Sequence, residues 1–470
     1  MRLREKSPAS GFARSARRRR AGSVLVIVLW IAFGLVSLAL YFANAMSFEL
    51  RAADNRVSAQ AADQAIEGAV RYLNYLLAAQ ISNGSNGVLP SLEEPLCQAV
   101  PVGEAHYWLI GRDTNNPIGP GQLCFGLVDE AAKLNLNSAE GDTLIWLPRM
   151  TEDLTQAILD WRDTNGNGPT VIYYAMQQPA YQCKCDLFET VDELRLLYGA
   201  DMDTLLGEDA NRNGVLDAAE TDDNQNNLLD PGVLEYCTVY SREPNTQRDG
   251  SARINVANLN GFAAQLGSLL ATNFGAARAD QILATVGLAG SRPGRAPGGG
   301  ATGARFTSPL AFYLGSGMTA AEFALISTNL TATEGAYVTG RVNVNTASAA
   351  VLACLLEGDV AVAEMLVNYR QSNPDELTSI AWVADALRQN YPEALQTLAA
   401  RDVLTTQSYQ FTADVAALGP FGRGYRRVKF VFDTSSGSPV IVYRQDLTHL
   451  GWALGPEVRQ DWLLAGTQHD

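Results

Sequence analysis

Between residues 209 and 230 the chain sets oxygen-bearing side chains at nearly every second position. Hard divalent cations are held by roughly six to eight oxygen ligands, drawn from carboxylates, amide oxygens and backbone carbonyls. The twelve-residue calcium-loop pattern asks for side-chain oxygens at its first, third, fifth and ninth places and a backbone carbonyl at the seventh. It needs glycine at the sixth, where the chain turns sharply, and a bidentate glutamate at the twelfth. Asp209, Asn211, Asn213, Gly214, Val215, Asp217 and Glu220 meet every constrained place. Thirteen residues on, Asp222, Asn224, Asn226 and Asp230 repeat the arrangement, with Asn227 in place of the glycine. Asn accepts the left-handed backbone better than most residues. The twelfth place of this second copy is Val233, so it must borrow a ligand, and Glu235 is the expected donor. Residues 209–230 hold six acids and one Arg, a loop that repels itself unless a cation neutralises it. The sequence therefore predicts one or two structural Ca²⁺ ions, cross-linking a segment too polar to form a core. The half-pattern Asp163 to Gly168 has Val171 at the ninth place and reads as a turn.

No comparable case exists for catalysis. His106, His449 and His469 are scattered, and no Cys–His or Ser–His–Asp arrangement can be defended. Asp129 and Glu130 are read as structural acids rather than an acid–base pair, and the chain is expected not to be an enzyme. Six cysteines are too few for a disulfide scaffold but enough for one to three bridges in an oxidising compartment. Cys97 and Cys124 flank an expected strand pair. Cys183 or Cys185 could bridge Cys237 and staple the calcium region. Cys354, inside an apolar run, is read as a small buried hydrophobe.

The elements that must carry these groups begin with an anchor. The formal charge is −15 over 470 residues, yet residues 1–22 hold eight Lys/Arg and one Glu. The rest is strongly acidic, which argues against nucleic-acid binding. Residues 23–43 then carry no charge, the length of a membrane-spanning helix, with the preceding arginines on the cytoplasmic side. Residues 49–79 are rich in Ala, Leu, Gln and Glu without proline, and Val57, Ala61, Ala65, Ala69, Tyr72 and Leu76 recur at helical spacing. The two segments are predicted to form one helix of roughly 85 Å, ended by the turn residues 83–87. At the other end, residues 405–450 alternate apolar and polar residues between Gly/Ser/Pro turns, predicting three antiparallel strands. The Gly/Pro/Arg tract within 289–305 is predicted to be a loop. Between these landmarks an apolar–Asn element occurs three times: Leu134-Asn135-Leu136-Asn137, Ile254-Asn255-Val256 and Val342-Asn343-Val344-Asn345. Each reads as a short extended segment before helices, with Ser138 or Thr346 as the expected cap.

A basic leader, Gly22 immediately before an apolar helix and an amphipathic continuation together resemble a type IV pilin-like signal. The resemblance places a prepilin peptidase cut between Gly22 and Ser23. Most such proteins carry a glutamate at the fifth place after the cut, where this chain has Ile27. A carboxylate in the bilayer is costly unless paired, and a subunit lacking it offers nothing to a neighbour above. The body resembles general secretion pathway protein K, the minor pseudopilin of type II secretion, on residues 129–139, 158–163, 191–199 and 342–347.

That resemblance implies an α+β fold, in which a long transmembrane helix leads into a pilin-like head with an antiparallel sheet. A large all-α insertion of helix-hairpin-helix or SAM-like units is expected within the head. The implied boundaries are a leader 1–22, the membrane helix 23–43, its periplasmic continuation 44–80, and the first part of the head 81–128. Helical domains follow at 129–400, with calcium loops at 209–235, before the last strands of the head at 401–470. The implied role is the tip of the pseudopilus, promoting assembly and secretion from the inner membrane, with the body in the periplasm. Implied partners are the I- and J-type minor pseudopilins, the major pseudopilin, the inner-membrane assembly platform and prepilin peptidase. The helical-hairpin turn Glu357-Gly358-Asp359 is acidic, unlike the basic turns that hold DNA phosphates. The alternative reading is a minor pilin or tip adhesin of a type IV pilus.

Overall fold

The computed structural model describes residues 21–114, 122–288 and 305–460; the leader up to Arg20, the Gly/Pro tract from 289 to 304 and residues 461–470 lie outside them. The chain divides into two compact units after Ser58. Helix α1 spans Ala21–Ser82, so Gly22 and Ser23 lie in its first turn. In the first unit every residue from Val24 to Leu40 is exposed, and this stretch is long and apolar enough to cross a membrane. Ile27 is 57% exposed.

In the second unit the rest of α1 lies against an antiparallel sheet. Its strands are β1 (Val100–Val102), β2 (Ala105–Ile110), β3 (Val128–Asp129), β4 (Gln410–Leu418), β5 (Arg426–Asp433) and β6 (Val440–Asp446). Their order is β1-β2-β4-β5-β6, with β3 also pairing β4. Residues alternate between the two faces of a strand, and one face supplies Tyr107, Leu109, Phe411, Val415, Phe430 and Phe432 to a core shared with α1. The helix contributes Ala62, Ala65, Ile66, Ala69, Leu73 and Leu77. This stripe is turned from the expected one: Val57 is exposed and Tyr72 and Leu76 are only half-buried. The bulk of Ile66, Leu73 and Leu77 decides which face meets the sheet, and alanine spacing alone does not reveal it. Val102 packs onto Gly68, where a Cβ would come within 3.3 Å of its methyl groups.

The sequence between β3 and β4 forms the helical region. Three two-residue parallel bridges recur along it. Leu134–Asn135 pairs with Cys237–Thr238, Ile254–Asn255 with Leu330–Thr331, and Val342–Asn343 with Leu404–Thr405. In each, the Asn Oδ1 accepts the backbone N–H two residues on, at 2.9, 2.8 and 3.0 Å. Each partner Thr Oγ1 likewise accepts the N–H two residues on, at 3.1, 3.2 and 3.0 Å. The three apolar–Asn elements thus build one local unit three times.

The helices that matter for the site are α2 (Glu152–Arg162), α3 (Ala349–Leu355) and α4 (Val360–Ser372). Arg162 at the end of α2 donates to the carbonyls of Leu136 and Ala139. Arg370 in α4 repeats this on Val344 and Ala347 at 2.9 and 2.7 Å. The expected caps are corrected here. Thr346 Oγ1 donates to Asp129 at 2.6 Å, and Ser348 caps α3. The short helix after Ser138 takes Glu140 at its N-cap, with no side-chain bond. The acidic turn at Gly358 has φ +88° and is roofed by Trp146, whose ring would lie 2.3 Å from a Cβ there.

Candidate metal site: two loops closed at one base

The short helix Met202–Leu206 is capped by Asp201, whose Oδ1 accepts Thr204 N–H at 2.7 Å. The chain then enters the double loop through Gly207 and leaves it through Gly232. Gly207 pairs with Pro231 in an isolated antiparallel bridge, and Gly232 N–H donates to Leu206 O at 2.8 Å. A Cβ on Gly207 would stand 2.4 Å from Asp230 O, and one on Gly232 2.4 Å from Leu205 C. Only glycine permits this crossing.

Within the first loop, Asp209 Oδ1 accepts Asn213 N–H and its Oδ2 accepts Gly214 N–H, both at 2.9 Å. Asn211 Oδ1 and Asn213 Oδ1 accept the amides two residues on, each at 2.9 Å. Asp217 Oδ2 is a point of convergence, meeting Asn211 Nδ2 at 2.5 Å and Asn213 Nδ2 at 3.0 Å. The second loop repeats this bond for bond. Asp222 accepts Asn226 and Asn227 N–H at 3.2 and 2.9 Å, and Asn224 Oδ1 and Asn226 Oδ1 accept at 3.0 and 2.6 Å. Asp230 Oδ2 meets Asn224 Nδ2 at 2.5 Å and Asn226 Nδ2 at 3.0 Å. Backbone conformation follows suit. The fourth places, Arg212 and Gln225, have φ +60° and +58°, and the sixth, Gly214 and Asn227, +81° and +57°.

The loops differ in how they close. In the first, Glu220 accepts Asn211 N–H at 3.2 Å and Asp217 N–H at 3.0 Å. In the second, the residue in that role is Glu208, only 4% exposed, which accepts Asp223 N–H at 2.7 Å and Asp230 N–H at 2.9 Å. Glu235, the donor expected from sequence, is placed elsewhere. The helical turn Val233–Tyr236 directs it to Arg112, whose Nε lies 2.8 Å from its Oε1. Glu208 precedes both loops, so a forward search for a twelfth ligand passes it by. The signal was the pair of glycines at 207 and 232, which bring residue 208 back beside residue 230.

Arginines fasten the first loop to the rest of the unit. Arg427 on β5, almost fully buried, pairs with Asp414 on β4 at 2.9 and 2.6 Å and donates to the carbonyls of Asn211 and Arg212 at 2.6 and 2.7 Å. Arg112 reaches Asn213 O at 3.1 Å and Arg212 O at 3.0 Å. Arg212 in turn meets Asp192 at 3.2 Å, and Asp192 also accepts from Gln445 on β6 at 2.7 Å. Asn213 Nδ2 donates to Ala453 O at 2.7 Å.

The charge state of the first loop fits a cation. Burial, followed by the negative charge of Glu235, pushes the Asp209 carboxyl up despite Arg112. Burial also raises Glu220, with Asp209 and Asp217 adding to it. Two carboxyls held above their ordinary range beside a third acid are what a divalent ion would relieve. The donor set of Asp, Asn and one backbone carbonyl suits a hard, oxygen-seeking ion. Among the described residues no group of three His, Cys, Asp or Glu forms a metal cluster by itself; these loops rely on Asn oxygens as well. The third half-pattern is a turn, with Asp163 Oδ1 accepting Asn165 N–H at 3.1 Å.

Asp129 and Glu130 join sheet and helical region. Asp129 Oδ2 accepts from Ser408, Thr346 and Asn343, and burial raises its carboxyl. Glu130 accepts from Thr238 and Thr412; burial alone would push it up, but Lys133 and Lys429 hold it below the ordinary range. All six cysteines are free thiols, so the bridges expected among Cys97, Cys124, Cys183, Cys185 and Cys237 are not formed. Cys354, buried on α3, is the thiol that bears on Cys237.

Residues 342–403 match the family model of type II secretion system protein K. A chain in a solved GspK-GspI-GspJ complex from the type 2 secretion system of enterotoxigenic Escherichia coli is 10% identical to this one. That match covers 85% of this chain and 99% of that one, with a TM-score of 0.40. No curated protein matches the chain.

Proposed function

We propose that the chain is a minor pseudopilin of the type II secretion system protein K family, whose model its residues 342–403 match, and that it forms the tip of the pseudopilus and promotes filament assembly and secretion. The family is one of structural subunits rather than enzymes. The observation that carries the tip assignment is Ile27, an exposed apolar residue where pilin-like subunits place a bilayer carboxylate. A subunit without that carboxylate has no charge to pair with the amine of a subunit above it. The helical region entering between β3 and β4 adds bulk that a shaft subunit does not need.

On this reading Gly22 and Ser23 flank the prepilin peptidase cut, and α1 crosses the inner membrane before joining the filament. The head (81–128 and 401–470) and the helical region (129–400) then stand in the periplasm. The I- and J-type minor pseudopilins are its partners at the tip, with the major pseudopilin below and the assembly platform in the membrane. The double loop takes one or two Ca²⁺ ions. Asp209, Asn211, Asn213, Val215, Asp217 and Glu220 would hold the first. Asp222, Asn224, Asn226 and Asp230, closed by Glu208, would hold the second. The ion supplies charge neutralisation and rigidity, while the arginines fasten the first loop to the sheet.

The test is to tag the full-length chain and count label per isolated filament. One label at one end, together with impaired secretion on deletion, supports the proposal. Labels spaced along the shaft, or unimpaired secretion without the chain, overturn it.

A further inference from the structure

Cys183 and Cys185 belong to a short segment pinned on both sides. Lys184 between them points away, its Nζ 3.2 and 3.1 Å from the two carboxylate oxygens of Glu193. Asp186 N–H donates to Trp161 O at 3.2 Å. On the other side, Cys183 Sγ donates to Asp160 O at 3.7 Å, and Cys185 Sγ lies against Gly166, 3.3 Å from where a Cβ would stand. The backbone turns at Cys185 with φ +48°, a left-handed conformation uncommon outside glycine. The two half-buried thiols line one crevice between the end of α2 and the 163–168 turn, Cys183 against the helix end and Cys185 against the turn. Cys237 is 1% exposed and has Cys354 for its neighbouring thiol.

We propose that Cys183 and Cys185 are a redox-active dithiol that closes into a disulfide within the loop, by exchange with a small-molecule or protein disulfide. In the exchange one sulfur of the pair attacks the oxidant's S–S bond, and the second then displaces the mixed disulfide. The Cys183–Cys185 bond forms and the oxidant's bond breaks. Two electrons pass to the oxidant, whose sulfurs leave as two thiols carrying the two protons. Closure removes the S–H donor from Asp160 O and ties the segment that holds the 163–168 turn. Burial pushes the Cys183 thiol up to about 11. Cys183 therefore stays protonated at neutral pH until an oxidant meets it, and closure should accelerate as pH rises.

The proposal does not depend on the filament role, and the chain itself provides the assay. Lys184 places a trypsin site between the two cysteines. The purified full-length chain in detergent is treated with oxidised glutathione, the remaining thiols are alkylated, and the protein is digested without reductant. The expected product is peptides 163–184 and 185–195 held together, or an uncut 163–195 lacking two hydrogens, separating only after reduction. Cys237→Ser should leave this product unchanged, while Cys183→Ser and Cys185→Ser should each abolish it. Both cysteines alkylated on separate peptides after oxidation, or either one tied to the Cys237 peptide, would overturn the proposal.

Discussion

Glu208→Gln is the substitution that most directly separates the two loops. The buried Glu208 carboxylate accepts two backbone amides of the second loop, at 2.7 and 2.9 Å. Hydrogen bonds to a charged acceptor are worth about 1.5–3 kcal/mol each, and glutamine can keep only one of them, uncharged. The ion-free protein should therefore lose about 2–3 kcal/mol. A bound ion at a thousandfold excess over its dissociation constant adds about 4 kcal/mol, which the variant also forfeits at the second site. Calorimetric titration with Ca²⁺ should give two ions per chain for the parent, one for Glu208→Gln and one for Glu220→Gln. Glu235→Gln, which breaks the Arg112 pair, should still bind two and should lower the melting temperature equally with Ca²⁺ and with chelator. Two ions retained by Glu208→Gln, or one lost by Glu235→Gln, would refute the assignment of the closing carboxylate.

The remaining predictions concern pH, docking and processing. Asp209 and Glu220 are raised by burial; in the ion-free chain their contribution to stability is full below the ordinary carboxylate pKa and is lost as pH rises through their raised values. Calcium needs the deprotonated forms, so the Ca²⁺-induced rise in melting temperature should be small near the ordinary carboxylate range, about pH 4, and should grow as pH rises above it, as scanning fluorimetry with and without chelator would record; a rise independent of pH would contradict it. Arg427→Met strands Asp414 and frees two loop carbonyls, a loss of about 3–5 kcal/mol, and should weaken calorimetric Ca²⁺ affinity at the first loop while sparing the second. Gly22→Ile should leave the precursor uncut by prepilin peptidase, visible as a slower band on gels; normal processing would remove the pilin-like reading of the amino terminus.

What could be read in advance was whatever is coded by short-range spacing. The calcium-loop pattern is positional, so its first-copy residues and the sharp turn at Gly214 follow from twelve consecutive letters; the left-handed backbone at Arg212 does not. The three C-terminal strands announce themselves by alternation, and α1 by an uncharged run followed by helical periodicity. What could not be read depends on packing across long separations. Arg427 grips a carbonyl 216 residues earlier, and Arg112 binds Glu235 across 123 residues, so neither could be paired by spacing. The same limit explains Glu235: its composition and nearness in sequence were right for a ligand, but the turn it occupies points it at an arginine. Thr346 looked like a helix cap until the buried Asp129, 217 residues away, claimed its hydroxyl.

The three repeated bridges differ in how much chain they enclose. In the third copy the chain passes from Val342 through consecutive helices to Leu404 without interruption, so its spacing stays regular. The first copy is opened by the double loop at 207–232, and the second by the tract at 289–304. Each bridge survives such an insertion because the Asn and Thr side chains that close it bond only two residues away. Loop-closure entropy also rises slowly with length. A local unit of this kind can enclose a longer segment at low cost. The double loop is tied into the unit, because Arg427 and Arg112 bind its backbone carbonyls rather than its side chains. Those contacts depend on the loop's shape, which carboxylate repulsion opposes and a cation would hold.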